Sequence, residues 1–193
     1  MLTDRQKEII DVSLNLIADR GIQGLTIKNI SKEIGISEPA IYRHYENKIQ
    51  ILIALLDLFK ITSEELFKEV AGLPLSAMEK INHLFLKHFQ IFSANTSWVA
   101  VIFAEEIFRN EPVLMSKISS IINQNDRQLQ SILGDGQQFG EIRNDIEAGH
   151  LSVMVMGALR LFVKKWQYSV YEFNLIDEGT LFLHSIKKMI ATK

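Results

Sequence analysis

The sequence predicts an all-α protein with about nine helices. A three-helix N-terminal region with a helix-turn-helix is followed by a C-terminal bundle of longer helices. Three observations predict this. Only three prolines interrupt 193 residues. No alternating apolar and polar run reaches strand length, and apolar residues recur at helical spacing from end to end. The helices are short before residue 48 and long after it, which sets the expected domains at 1–47 and 48–193.

The first helix opens at Thr3, with Gln6 three residues on as a capping box, and stops at Gly21, a good residue to follow a helix. Thr26 caps a second, short helix whose apolar residues Ile27, Ile30 and Ile34 share a face. Gly35 ends it. Ser37 caps a third helix of about seven residues, with Ile36 and Ile41 spaced as a hydrophobic staple and Pro39 in the first turn. Asn47 caps a fourth, with Gln50 at its third position. The long helices are then expected at 48–71, 75–94, 96–109, 112–133, 145–173 and 177–191. The fifth of these follows the glycine-rich stretch GDGQQFG (Gly134–Gly140), read as a loop.

Composition narrows the function. Hydrophobic residues make up 47% and charged residues 23%, too apolar for a disordered chain. With no cysteine, disulfides and thiolate metal sites are excluded. His83 and His88 lack the carboxylate that a metal set requires, so no metal or cofactor is expected. No nucleophile elbow, phosphate loop or dinucleotide fingerprint occurs, so no enzyme is expected. The start of the chain lacks the apolar core of a secretory signal, and no apolar run reaches the roughly 18 residues of a membrane span. The expectation is a cytoplasmic protein with no membrane partner.

Net charge is -2, and residues 1–50 carry seven basic and seven acidic side chains. A DNA-binding reading therefore rests on where single charges sit. In the third helix only Ile41 and Tyr45 make an inward face. Glu38, Pro39, Ala40, Tyr42, Arg43 and His44 must face something polar. A solvated surface explains Glu38 well but explains Tyr42 beside Arg43 and His44 badly. Lys48 sits in the first turn of the fourth helix, where the helix dipole disfavours a cation; a phosphate gripped there accounts for it. Thr26 offers a second such site. Ala40 allows close approach and a thymine methyl contact, and Arg43 suits guanine.

The stretch Leu25–Lys48, LTIKNISKEIGISEPAIYRHYENK, resembles the DNA-binding region of the TetR/AcrR family of bacterial transcriptional regulators. The likeness lies in the leading threonine, the Ile-Ser-Lys-Glu-Ile-Gly-Ile-Ser turn, the Ile-Tyr-x-His-Tyr helix and the lysine three residues on. It implies phosphate contacts from Thr26, Tyr42, Tyr45 and Lys48. It implies base-edge or groove contacts from Lys28, Ser37, Glu38, Pro39, Ala40, Arg43 and His44, with Glu38, Pro39 and Arg43 setting operator preference.

The aromatic residues of the long-helix half read as ordinary core by themselves. The resemblance implies a cavity for a small apolar or amphipathic ligand, with Phe59, Phe85, His88, Phe89, Phe92, Trp98, Phe103 and Met115 as candidate lining. The helix over 145–173 is apolar around most of its circumference, so it must bury one face in its own core and one on a partner. With the last helix it predicts a homodimeric four-helix interface, using Leu151, Val155, Leu159, Phe162, Trp166, Phe182 and Ile186. Family dimerisation adds to that reading. Together these predict a dimeric, ligand-responsive regulator, most often a repressor, on a pseudo-palindromic double-stranded operator. The competing reading is a DNA-bound adaptor for partner proteins with no small-molecule inducer.

Overall fold

The computed structural model describes residues 2–104 and 109–192. Among these it contains nine α-helices: α1 (Asp4–Arg20), α2 (Ile27–Ile34), α3 (Glu38–Tyr42), α4 (Lys48–Gly72), α5 (Ala77–Ala94), α6 (Thr96–Ile102), α7 (Pro112–Gln138), α8 (Ala148–Tyr168) and α9 (Leu175–Ile190). The only strand-like pairing among them is an isolated bridge between Ile142 and Ala191. No described helix is long and apolar enough to cross a membrane. The chain forms two compact units. One holds Met1–Lys60 with Asn95–Ser119, the other Ile61–Ala94 with Ser120–Lys193.

In the first unit the capping box of α1 is complete, with Thr3 and Gln6 bonded reciprocally. Ile9, Ile10, Leu14, Leu16 and Ile17 of α1 are buried along with Leu25, Ile30 and Ile41, which is the small core that fixes α2 and α3. Gly21 has φ 67° and ψ 179°, a region nearly closed to other residues, and Gly35 ends α2 in the left-handed conformation at φ 78°. α6 packs against α1. It stops at Ile102, and the expected continuation through Ile107 and Phe108 lies outside the described residues. Lys117 of α7 forms an ion pair with Asp57 of α4.

In the second unit α9 packs on α5 and on α8. Gly179 of α9 is the reason α5 comes so close: a Cβ there would lie 2.5 Å from the ring of Phe89. The expected break at GDGQQFG does not occur, because α7 runs on to Gln138. Gly136 sits inside that helix because a Cβ would strike Ala77 at 2.7 Å and Ile142 at 2.6 Å. The chain reverses only at Gly140, φ 72°. Two polar links tie the unit together. Ser63 donates to Asn125 at 3.0 Å and Ser152 donates to Asp126 at 2.6 Å.

Candidate nucleic-acid interface and ligand region

α3 is only five residues long, followed by backbone bonds from His44 and Tyr45 to the carbonyl of Ile41. Its orientation is therefore set by what it buries. Ile41 is fully buried and Tyr45 is 5% exposed, as the i, i+4 spacing requires. Ser37, Glu38, Pro39, Tyr42 and Arg43 are exposed, and Ala40 and His44 are partly so. The helix thus turns a row of polar and small residues outward, with Tyr42 49% exposed.

The flanking caps add donors to this surface. Thr26 accepts from the amide of Asn29 at 3.1 Å, which leaves its hydroxyl proton free to donate. Asn47 caps α4 by accepting from Gln50 N at 3.0 Å. Lys48 lies in the first turn of α4 and is half-buried. Ser37 holds the expected N-cap position of α3, its carbonyl accepting from Ala40 N at 2.9 Å, and makes no side-chain capping bond. Lys28 is exposed on α2.

Tyr45 differs from the other candidates. Its ring belongs to the core, and its buried hydroxyl has no hydrogen-bond partner. Burial raises its pKa, so the phenol stays protonated and able to donate. A concavity of about 200 Å³ on this surface is lined by Arg5, Ile36, Ala40, Arg43 and His44. Arg5 was not among the residues that the sequence pattern marked.

The candidate ligand residues fall into both units. In the first, Phe59 and Trp98 have ring centroids 5.9 Å apart, Phe103 is buried, and Met115 is 41% exposed rather than facing an interior. In the second, Phe85, His88, Phe89 and Phe92 are all buried on α5. His88 packs between Phe67 at 6.3 Å and Phe92 at 6.1 Å. Its Nδ1 lies 2.9 Å from the carbonyl of Leu84, and a carbonyl can only accept, so Nδ1 carries the proton. Burial lowers the pKa of His88, against a smaller opposing effect of that bond. The ring is neutral, with Nε2 left as an acceptor among aromatic side chains.

Phe67 also forms the floor of a groove of about 250 Å³, together with Ile132, and Lys68, Lys80, Glu64 and Asp135 stand on its rim. None of the sequence-predicted ligand residues lines it. A lysine over an apolar floor carries no periodic signature, which is why the pattern missed it. Among the described residues no group of three or more His, Cys, Asp or Glu side chains could hold a metal ion.

Of the seven residues expected at the dimer face, five, Leu151, Val155, Leu159, Trp166 and Ile186, are buried within the single chain, while Phe162 and Phe182 are half-buried and stack on each other at 4.5 Å. The opposite face of α8 is the open one. Met154, Gly157, Leu161, Lys165 and Tyr168 are exposed at helical spacing, beside Val153, and Gly157 has open space above it. Leu181 and Met189 are the exposed apolar residues of α9.

The chain matches bacterial regulatory proteins of the tetR family over residues 9–55 and the YsiA-like protein C-terminal region over residues 62–188. It is similar to the fatty acid metabolism regulator protein of Bacillus subtilis, 28% identical over 173 residues, which cover 88% of this chain and 87% of that protein. Among solved structures it is similar to the transcriptional regulator FadR from Bacillus subtilis in complex with stearoyl-CoA. That match has a TM-score of 0.78 and 24% identity, covering 95% of this chain and 96% of that one. The ketosteroid transcriptional regulator KstR2 of Mycobacterium tuberculosis matches with a TM-score of 0.82 and 17% identity, over 100% of this chain and 98% of that one.

Proposed function

The chain belongs to the tetR family of bacterial regulatory proteins and is a DNA-binding transcriptional regulator, and from that premise we propose that it works as a homodimeric repressor, released from a pseudo-palindromic operator by a long-chain acyl ligand. The observation that carries the DNA-contacting role is the outward row on α3. Short side chains at Ser37, Pro39 and Ala40 let the helix seat deeply, Arg43 and His44 supply donors for base edges, and Glu38 orients Arg43 or accepts from a cytosine amine. Thr26, Tyr42 and Lys48 hold phosphates on either side, and Tyr45 reaches one only if its buried hydroxyl is uncovered. Such contacts position the helix, and the base contacts specify the sequence.

A long-chain ligand is supported by the stearoyl-CoA of the FadR relative and by the chemistry of the second unit. Phe67, His88 and Phe92 make an apolar track with a single acceptor, Nε2 of His88. Phe67 also floors the groove with Lys68 and Lys80 on its rim, suited to an anionic head group. Glu64 and Asp135 on the same rim temper that attraction. The groove, at about 250 Å³, is below the roughly 300–1,000 Å³ usual for ligand sites, so ligand entry displaces Phe67. α4 is one uninterrupted helix from Lys48 to Gly72, and it carries both the phosphate-gripping lysine and Phe67. A ligand that moves the Phe67 end biases the Lys48 end, provided it binds the two conformations unequally. Such a role is cytoplasmic.

Selection from a random duplex pool, followed by titration of the retained complex with stearoyl-CoA, tests this. The expected result is a pseudo-palindromic consensus and release on titration. A pool that yields no enriched duplex refutes the DNA reading. Enrichment without release by stearoyl-CoA removes the acyl ligand and favours the adaptor alternative.

A further inference from the structure

We propose that Arg5 is a further DNA-contacting residue, reaching a phosphate beside the base pairs read by α3, and that Glu8 restrains it until the duplex arrives. The inference rests on the reading of α3 as the helix that enters the major groove. Arg5 lies in the first turn of α1, more than thirty residues upstream of α3 in sequence, and no motif marks it. The fold brings it to the edge of the concavity that Ala40, Arg43 and His44 also line, with Ile36 completing it. The lining contains three basic side chains and no carboxylate, beside the apolar Ile36 and Ala40. That arrangement accepts an anion.

Duplex geometry supplies the anion. The major groove is roughly 12 Å wide, and a helix with its side chains is roughly 10–12 Å across. A helix seated there has its flanks against the phosphate walls. With Ala40 and Arg43 at the base edges, the neighbouring concavity meets one wall.

In the free protein Arg5 forms an ion pair with Glu8, one turn along α1, and both side chains are nearly half exposed. Exposed pairs of this kind are weak, whereas an arginine and a phosphate form a two-pronged, charge-assisted contact. Arg5 therefore exchanges partners on binding. Asp4, the other acid of that turn, is engaged with Lys7 at 3.5 Å and does not compete for Arg5.

The test uses the full chain, a duplex enriched from the random pool, and affinities measured over a range of salt concentrations. Each phosphate contact contributes about 0.9 to the slope of log affinity against log salt. Arg5→Ala should lower the slope by about 0.9 for each bound chain, with the base preference unchanged. Over a tenfold span of salt that is roughly an eightfold smaller change in affinity per chain. Glu8→Gln should tighten binding, and the gain should vanish in the Arg5→Ala background.

If Arg5 served only to stabilise α1 through Glu8, the two substitutions would shift binding in the same direction. That result, or an unchanged slope for Arg5→Ala while Lys48→Ala lowers it, overturns the proposal and leaves the α3 reading intact. If Lys48→Ala and Arg43→Ala are silent as well, the α3 reading falls and this inference falls with it.

Discussion

Leu161→Ala and Leu151→Ala separate the two faces of α8. Leu161 is 62% exposed and Leu151 is 1% exposed. Fully burying a leucine is worth roughly 1.5–3 kcal/mol. The exposed part of Leu161 therefore offers roughly 1–2 kcal/mol to a partner surface. In an isologous dimer the residue is used twice, so Leu161→Ala should weaken association by roughly 2–4 kcal/mol, or about thirty- to a thousand-fold in Kd. Its effect on unfolding of the separated chain should stay within about 0.5 kcal/mol, as for other surface substitutions. Leu151→Ala leaves a cavity in the chain's own core and should cost roughly 2–5 kcal/mol of folding stability, with little effect on Kd wherever the chain is folded. Sedimentation equilibrium over a range of concentrations gives the first quantity and urea titration the second. A Leu161→Ala protein that dimerises like the unsubstituted one, beside a folded Leu151→Ala protein that does not, would refute the assignment of the open face.

Gly179→Ala replaces a helical glycine, which in an open helix stabilises by roughly 1 kcal/mol; here the new methyl would lie 2.5 Å from the ring of Phe89. Overpacking of that kind costs roughly 1–3 kcal/mol, and the ring is hemmed in by Phe162 at 5.9 Å, so the net change in a urea titration should be destabilising and should be relieved by a second change, Phe89→Leu. His88 has its pKa lowered by burial, so the unfolded chain takes up its proton first as pH falls below roughly 6.5. The stability of the neutral ring is fully present above that value. Between roughly 6.5 and the lowered folded pKa it declines by up to about 1.4 kcal/mol per pH unit. Thermal unfolding of His88→Leu should lack that decline, and parallel curves for the two proteins would show that His88 is not buried neutral.

The helix-turn-helix part was legible because its determinants are local. Thr3, Thr26, Gly21, Gly35 and Asn47 act within a turn of the residues they cap, and Ile41 with Tyr45 fixes the inward side of α3 by spacing alone. The second unit was legible in kind and not in detail. Glycine at 134 and 136 reads as a break in one dimension, but Gly136 is needed where Ala77 and Ile142 press on the helix, and the helix runs through it. The same limit governs α8. Leu151, Val155 and Leu159 repeat every fourth residue, and so do Gly157, Leu161 and Lys165. Two stripes of equal period do not declare which one the chain covers itself. That is decided by α9 and by Ser152, whose hydroxyl bonds to Asp126 and turns its side of α8 inward.

The charge balance of residues 1–50 yields to the same kind of local argument. Seven acids against seven bases would argue against DNA if charge acted as an average, but with a screening length of roughly 10 Å the interface responds to what lies on it. Glu46 accepts from Gln50 at 2.9 Å and Glu8 is held by Arg5. Asp4 is paired with Lys7. Around the concavity on α3 only Arg5, Arg43 and His44 carry titratable groups. Glu38 is the one acid within α3 itself, so on the proposed reading of α3 it is the charge that would oppose the duplex directly. On that reading an acid in this place serves selectivity: it would repel every site that lacks a donor to meet it, and so lower binding to the rest of the genome more than to the operator.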